Sequence, residues 1–431
     1  MSFQAELKFD TSEPLSERET IDTFLDEIIN FDDFGKITEA FPFECLNGNI
    51  HSYINVYTNE FWTAKQRAAH SLHEISYRAC FKPQLPRFFI ERFTLPGDVV
   101  YDPFMGRGTT LVEAALMGRI PYGCDVNPLC QIFVRPRLSP PSLSDIEKRL
   151  RIIDFNCINE YPEELHVFYH PQTLSRICAL RQYLLRRREE SRFDYIDGWI
   201  QMVALNRLTG HSPGFFSVYT LPPNQAVSVQ SQKKINERLK QAPPFRDVHK
   251  IIIKKSKALL SDYNLWNEQS LSKIINKITL LSQSCSSTPE IPDNSVQLIV
   301  TSPPFLNIVN YSADNWLRAW FCATPASPDQ LWSLKNISDW EAAMTAALSE
   351  CCRVLKPGGL VAFEVGEVRN ATIHLDELAI LCGSKAGLRP VCILINKQNF
   401  TKTANCWGVQ NGEKGTNTNR IAIFQKSALL S

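Results

Sequence analysis

The sequence predicts an α/β fold built on a doubly wound, mainly parallel sheet. Residues 98–101, 120–124 and 296–300 have the length and the apolar content of short buried strands. The first of them leads through a turn with two glycines into the apolar helical pattern of Thr110 to Met117. Strands that alternate with helices in this way form parallel sheets with helices on both faces.

The composition is that of an ordinary globular chain. It has 431 residues, of which 44% are hydrophobic and 21% are charged, and a formal net charge of +1. The 13 cysteines show no paired CxxC spacing, so the sequence supports neither a disulfide framework nor a zinc site. No apolar stretch approaches membrane-spanning length, and no basic segment precedes an apolar run near the start. We expect reduced thiols and a cytoplasmic location, with no membrane partner.

The turn after the first strand holds a set of candidate ligand contacts, namely Asp102, Phe104, Gly106, Gly108 and Thr109. Its glycines allow the backbone to approach a ligand closely, and the helix that follows begins with free N–H groups. A dinucleotide-binding fingerprint needs a third glycine near position 111, which is Leu111 here. The turn therefore argues against a nicotinamide cofactor.

An acidic residue, Asp125, ends the second strand and is followed by Asn127. In a doubly wound sheet an acid at this place can accept hydrogen bonds from both hydroxyls of a ribose. Asp-x-Asn-Pro would also satisfy ordinary turn chemistry, in which the side chains hydrogen-bond to the local backbone. The order of strand, glycine turn, helix, strand and acid favours ligand contacts by Asp125 and Asn127.

The third strand ends abruptly at the loop Thr301-Ser302-Pro303-Pro304-Phe305. Because prolines lack an N–H group, this rigid loop offers the Ser302 hydroxyl and main-chain carbonyls as acceptors without a competing donor at either proline. Phe305 adds an aromatic face. Such a set suits a planar ring that bears an amino group, but a proline turn over a core phenylalanine would have the same local sequence.

The last third of the chain predicts one further helix and three strands. Ser338 and Glu341 have capping-box spacing at the start of a helix over residues 340–355. A Lys-Pro-Gly-Gly turn then leads into a strand at 360–365. Strands near residues 392–395 and 421–424 flank a polar tract that we expect to form a hairpin loop.

The glycine turn and the Ser-Pro-Pro-Phe loop together resemble the motifs of the amino-methylating DNA methyltransferases. Those enzymes methylate cytosine N4 or adenine N6, typically in restriction-modification systems. The resemblance covers about residues 60–135 and 275–425. It implies a class I, Rossmann-like methyltransferase sheet, S-adenosyl-L-methionine as the cofactor and double-stranded DNA as the substrate.

The resemblance also implies a role for single residues in cofactor binding. The glycine turn, Asp125 and Asn127 would bind the cofactor, and Lys82 and Pro83 would contribute to the pocket for its methionine end. Family members commonly place an acid at the position of Gln283 to bind the adenine amino group. This chain departs from that pattern, although an amide oxygen can still accept a hydrogen bond from an amino group.

The same resemblance implies a catalytic role for Ser302, Pro303, Pro304 and Phe305. Ser302 Oγ and the Pro303 carbonyl would accept the amino hydrogens of the target base, and Phe305 would stack on the base. Serine before Pro-Pro favours cytosine N4 as the target. Adenine N6 and the amino groups of RNA bases remain the alternatives.

Residues 136–272 interrupt the alternation of strands and helices. A loop at 207–225 is dense in glycine, proline and aromatic residues, and nine basic residues follow it, from Lys233 to Lys257. Solvated helix faces are the ordinary explanation of such a run. A basic stripe beside an aromatic loop is also what phosphate contacts and base readout require, which favours a target-recognition region.

These observations divide the chain into four parts. Residues 1–60 are expected to be an acidic, helical extension, 61–135 the cofactor-binding part, 136–272 the inserted target-recognition region and 273–431 the catalytic part. A cognate restriction endonuclease, if the system has one, would act as a separate protein.

Overall fold

The computed structural model describes residues 18–47, 50–63, 69–77, 80–156, 161–220, 227–304, 311–324, 336–365, 375–401 and 414–428. Within these ranges nine strands form one sheet: β1 Glu39–Asn47, β2 Ile50–Asn59, β3 Val99–Asp102, β4 Ile120–Cys124, β5 Thr279–Leu281, β6 Val296–Thr301, β7 Leu355–Val365, β8 Arg389–Thr401 and β9 Lys414–Gln425.

The same ranges contain thirteen α-helices. They are α1 Ile21–Ile29, α2 Gln84–Phe93, α3 Thr109–Leu116, α4 Leu129–Val134, α5 Leu143–Arg151, α6 Pro171–Glu189, α7 Tyr195–Leu205, α8 Val229–Leu239, α9 Val248–Leu259, α10 Leu265–Ile274, α11 Tyr311–Cys322, α12 Ile337–Val354 and α13 Leu375–Lys385.

The sheet has the strand order β1-β2-β8-β9-β7-β6-β3-β4-β5. Five neighbouring strands, from β5 through β4, β3 and β6 to β7, are parallel, and β9 enters antiparallel between β7 and β8. The chain proceeds from β3 outward to β4 and β5, then crosses back to β6 and continues to β7 on the other side. The predicted class I α/β fold is confirmed, with its topological switch point between β3 and β6.

Both faces of the central strands β3 and β6 are buried, and successive residues of these strands alternate between two cores. Val100 and Leu298 lie on the face covered by α1 and α2, whereas Tyr101 and Ile299 lie on the face covered by α12 and α13. The side chains of a strand point alternately to the two faces, so a strand covered on both sides must be apolar throughout. This explains the nearly continuous apolar runs in the sequence.

The insertion between β4 and β5 is helical, and it shares a core with the methyltransferase-like sheet. Trp199 of α7 lies at its centre, fully buried, in one apolar cluster with Leu111 of α3 and Phe321 of α11. The indole nitrogen of Trp199 donates to Ser256 Oγ of α9 at 3.0 Å. The insertion therefore packs against the helices that carry the glycine turn and that follow the Ser-Pro-Pro loop.

The expectation of a helical extension over residues 1–60 is wrong for its second half. Only α1 is helical among the described residues before 60, and β1 and β2 form an antiparallel pair that extends the sheet. Strand β2 pairs in parallel with β8, from Asn55 opposite Cys392 to Asn59 opposite Asn396. No helix in the described part of the chain has both the length and the apolarity to cross a membrane.

Candidate active site

A pocket opens at the carboxyl ends of β3, β4 and β6, where the strand order reverses. Ligands of doubly wound sheets bind in the crevice at this switch point. Its lining consists of Tyr77, Cys80, Phe81, Asp102, Pro103, Phe104, Met105, Gly106, Thr109, Asp125, Val126, Asn127, Gln283, Cys285, Ser302 and Pro304. The pocket therefore joins the glycine turn to the Ser-Pro-Pro loop.

The glycine turn is held against the end of β4 by two hydrogen bonds. Met105 N donates to the Cys124 carbonyl at 2.9 Å, and Gly106 N donates to Asp125 Oδ2 at 2.9 Å. Gly106 and Gly108 have φ angles of 47° and 75°, in the left-handed region that favours glycine. The turn is thus fixed in shape by its own backbone and by the acid at the end of the next strand.

Asp125 serves the local backbone as well as facing the pocket. In addition to Gly106 N, it accepts a hydrogen bond from Asn127 N at 2.8 Å through Oδ1. Each carboxylate oxygen has a second lone pair, so both can still accept a hydroxyl hydrogen from the pocket. Burial raises the pKa of Asp125. Both sequence interpretations of this acid, turn chemistry and ligand contact, are therefore compatible with the geometry.

Asn127 lines the pocket, but its amide bonds to the protein. Its Nδ2 donates to Tyr77 Oη at 3.2 Å, and its Oδ1 accepts from Leu129 N at 3.1 Å. The side chain therefore joins the start of α4 to Tyr77, and its contribution to the pocket is mainly to hold this wall in place.

Asp102 links the two strands at the switch point. Its Oδ1 accepts from Thr301 Oγ1 at 2.5 Å and from Phe104 N at 3.1 Å. Burial raises the pKa of Asp102 to about 7, although the Thr301 and Phe104 hydrogen bonds oppose this rise. A carboxyl group that changes charge near neutral pH thus lies between the glycine turn and Ser302.

Ser302 is paired with a buried acid that the sequence analysis did not identify. The Ser302 side chain hydrogen-bonds to Glu364 near the end of β7, and Asn419 Nδ2 of β9 donates to Glu364 Oε1 at 3.0 Å. Burial raises the pKa of Glu364, while these two hydrogen bonds lower it. Glu364 is the one acidic residue in the predicted apolar strand 360–365. This interruption of the apolar pattern is the sequence feature that could have identified it as a site residue.

The proline loop is held from the opposite side by Trp340 of α12. The indole Nε1 donates to the Pro304 carbonyl at 3.1 Å. This bond fixes the loop and leaves the Pro303 carbonyl and Ser302 as the acceptors nearest to the strand end. Phe305, the last residue of the predicted catalytic set, lies outside the described residues.

Two buried arginines tie the segment before α2 to the glycine turn. Arg107 donates to the carbonyls of Ile75 at 2.7 Å and Phe81 at 3.3 Å, and also to Thr109 Oγ1 at 3.1 Å. Arg137 donates to the carbonyls of Arg107 and Leu72. These bonds bring Tyr77, Cys80 and Phe81 into the pocket wall, which no local sequence pattern indicated.

Most of the predicted site residues come together in this pocket. Asp102, Phe104, Gly106, Thr109, Asp125, Asn127, Gln283, Ser302 and Pro304 line it. Four predicted residues are not in its lining: Gly108, Pro303, Lys82 and Pro83. Lys82 and Pro83 directly follow the lining residue Phe81, and Pro83 precedes α2. Burial lowers the pKa of the half-buried Lys82 ammonium.

The chemistry of the lining fits S-adenosyl-L-methionine. The oxygens of Asp125 suit ribose hydroxyls, the Gln283 carbonyl suits an amino group, and Asp102 suits a cationic centre when it is ionised. Phe104, Val126 and Cys285 provide apolar surface for a planar ring.

Comparison with known proteins supports this interpretation. Residues 43–134 match the family model described as DNA methylase. The type II methyltransferase M.MjaII of Methanocaldococcus jannaschii is 34% identical over 86 residues, covering 20% of this chain and 16% of that protein. The type II methyltransferase M.BsoBI of Geobacillus stearothermophilus is 24% identical over 281 residues, covering 56% and 51% respectively.

A tRNA (guanine(10)-N2)-dimethyltransferase of Methanocaldococcus jannaschii is also similar, with 29% identity over 97 residues that cover 22% of this chain and 28% of that protein. The chain spans about half or less of the length of these relatives. The resemblance to the amino-methylating DNA methyltransferases is confirmed, and the pocket lining fits S-adenosyl-L-methionine, the cofactor that this resemblance implies.

Proposed function

We propose that the protein transfers a methyl group from S-adenosyl-L-methionine to the exocyclic N4 of a cytosine flipped out of duplex DNA. It would act as the modification enzyme of a restriction-modification system. The observation that carries this proposal is the single pocket that joins the glycine turn and Asp125 to Ser302 and the proline loop. A cofactor held at one end would face a base held at the other.

The acceptors at the proline loop suit the chemistry of an amino nitrogen. That nitrogen is a poor nucleophile because its lone pair is conjugated into the base ring. Acceptors that draw on both N–H bonds help the nitrogen to become tetrahedral, and this interaction strengthens in the transition state. Ser302 Oγ and the Pro303 carbonyl would accept these two hydrogens. The base must leave the duplex first, because its amino group is otherwise paired.

Glu364 gives the amino proton a destination. When bound, S-adenosyl-L-methionine supplies an electrophilic methyl group, and the nitrogen that is methylated must lose one proton. The Ser302 hydroxyl can receive that proton while passing its own to Glu364, whose buried carboxylate has a raised pKa. This route needs no covalent bond between the enzyme and the base.

The insertion is proposed as the DNA-reading part. Its basic run lies mainly on α8 and α9, where Lys233, Lys234 and Lys254 are exposed. Such residues neutralise phosphates and position a duplex, while base edges are read by other contacts. Cytosine is proposed over adenine because serine is shorter than aspartate, so the base must sit deeper, which a single-ring pyrimidine does more readily.

Methylation of an RNA amino group is the second candidate, favoured by the similarity to the tRNA dimethyltransferase. Parallel assays with duplex DNA and with structured RNA separate the two. Incorporation of the labelled methyl group into RNA but not into DNA would replace the DNA proposal with this alternative.

Ser302→Ala tests the assigned chemistry. We expect turnover to fall by about 100-fold or more, in the range for losing a transition-state hydrogen bond, while the Kd values for cofactor and DNA stay within about threefold. Single-turnover kinetics and calorimetry provide the two readouts. Equal losses in turnover and in binding would mean that Ser302 only supports the shape of the pocket.

A further inference from the structure

We propose that Glu290 is a positioning residue that fixes the Gln283 amide so that its carbonyl oxygen faces the cofactor and selects a 6-aminopurine over a 6-oxopurine. This inference rests on the proposed use of S-adenosyl-L-methionine. It assigns purine specificity to a carboxylate that does not itself line the pocket.

The hydrogen bonds of Gln283 determine which end of its amide is held. Gln283 Nε2 donates to Glu290 Oε2 at 2.8 Å and to the Ser287 carbonyl at 3.2 Å. A carboxylate and a carbonyl can only accept, so the amide nitrogen must be the atom that faces them. Both hydrogens of the Gln283 amide nitrogen are then bonded to the loop that contains Ser287 and Glu290. The amide presents its carbonyl oxygen as the remaining group.

The position of Gln283 places this oxygen near an adenine. Gln283 follows β5 by two residues, and its main-chain carbonyl accepts from Cys124 Sγ at 3.2 Å. Asp125 directly follows Cys124 at the end of the neighbouring strand β4, and it is the proposed acceptor for the ribose hydroxyls. A purine attached to that ribose would lie toward Gln283 and Cys285, both of which line the pocket.

The loop that contains Glu290 has its own anchors, which argues against a purely structural role for this acid. Glu350 Oε1 of α12 accepts from Thr288 N at 2.6 Å and from Thr288 Oγ1 at 2.7 Å. Arg353 of the same helix donates to the carbonyls of Thr288 and Ile291. Glu290 is exposed and accepts a hydrogen bond from the Gln283 amide.

A carbonyl oxygen in this position discriminates between purines. The amino group of adenine donates to it, whereas the 6-oxo group of hypoxanthine would set two acceptors against each other. An unmatched acceptor in a half-buried site costs about a factor of ten in affinity. If Glu290 were an amide, Gln283 could turn over and present its nitrogen, and the selection would weaken.

The test is calorimetric binding of S-adenosylhomocysteine and S-inosylhomocysteine to the wild-type protein, Glu290→Gln and Glu350→Gln. The wild type should prefer the adenosyl ligand by about tenfold or more. Glu290→Gln should reduce this ratio at least about threefold, mainly by improving the Kd of the inosyl ligand. Glu350→Gln is the matched control, since it loosens the same loop without touching Gln283, and it should keep the wild-type ratio.

The outcomes separate this inference from the cofactor proposal. If Glu290→Gln is folded and keeps the wild-type ratio, or if Glu350→Gln lowers the ratio equally, the positioning role of Glu290 is overturned. If the wild type binds neither ligand, the cofactor proposal fails instead. Circular dichroism and thermal unfolding establish that each variant is folded.

Discussion

Asp102 is a buried carboxyl group whose charge changes near neutral pH. It lies between the glycine turn and the proline loop, bonded to Thr301 of the neighbouring strand. Burial raises the pKa of Asp102 to about 7, so the carboxyl group is mostly neutral below that pH and mostly ionised above it. The sulfonium of S-adenosyl-L-methionine is cationic and favours the ionised form.

We therefore expect the affinity for S-adenosyl-L-methionine to fall by about tenfold between pH 8 and pH 6, because the ionised fraction of Asp102 falls by that factor. S-adenosylhomocysteine lacks the sulfonium charge and serves as the control ligand, with a smaller change. Calorimetry at several pH values measures both. In Asp102→Asn the affinities for the two ligands should depend on pH in the same way. If their pH dependence still differs, a titrating group other than Asp102 is responsible.

The place of some residues in the site can be predicted from the local sequence, whereas that of others cannot. Asp125 and Ser302 stand at strand ends within recognisable turns, so their place at the pocket could be predicted. Glu364 and Glu290 act on other side chains, 62 and 7 positions away in sequence, respectively. Such contacts depend on strand order and loop shape, which a single sequence does not specify.

Among the elements, the turn into α3 combines a left-handed backbone with close packing. A Cβ atom at Gly108 would lie 2.4 Å from Val134 Cγ2 of α4, and the residue has a φ of 75°. Helix α4 therefore packs directly onto the turn. Both backbone strain and overlap oppose any larger residue there.

Gly108→Ala should lower the free energy of unfolding by about 2–4 kcal/mol, the sum of left-handed strain and overpacking. Denaturant unfolding measures the loss. Gly97→Ala is the matched control, because Gly97 has a φ of 89° with nothing within 4 Å of its added Cβ, so only the strain remains. If both variants lose the same free energy of unfolding, helix α4 moves away from the added methyl group without an energetic cost.

Element positions were predicted well where turns punctuate the sequence. Strand β4 has the predicted bounds, and the glycines after β3 mark the start of α3. The capping box at Ser338 and Glu341 is wrong, since Asn336 caps α12 by accepting from Asp339 N at 2.8 Å. Several cap-forming residues stand close together there, and only the path of the preceding loop selects one of them.

At the scale of the whole molecule, the insertion packs on the sheet's helices rather than standing apart. Its core is continuous with α3 and α11, the two helices that follow the glycine turn and the proline loop. The sequence indicated the insertion by its loss of strand alternation. The pairing of β2 with β8 was missed, because it joins segments more than 300 residues apart.

Replacing Lys233 and Lys234 by alanine should weaken binding to cognate and random duplexes alike and reduce the slope of log affinity against log salt by about 1–2. Both residues are exposed on α8, so the fold should be unaffected. Fluorescence anisotropy across a salt series gives the slope. Lys385→Ala, on α13 outside the insertion, is the control. An unchanged slope in the double variant would mark those lysines as a solvated face.

The most direct test of the proposed function is mass spectrometry of the nucleosides from duplex DNA incubated with the purified protein and S-adenosyl-L-methionine. We predict N4-methylcytosine as the product, formed at least about 100-fold more slowly when Ser302→Ala replaces the wild type. N6-methyladenine as the sole product would retain the amino-methylation chemistry and contradict the cytosine assignment. Folded protein that binds the cofactor and leaves every DNA amino group unmethylated would contradict the proposal that this protein is a DNA amino-methyltransferase.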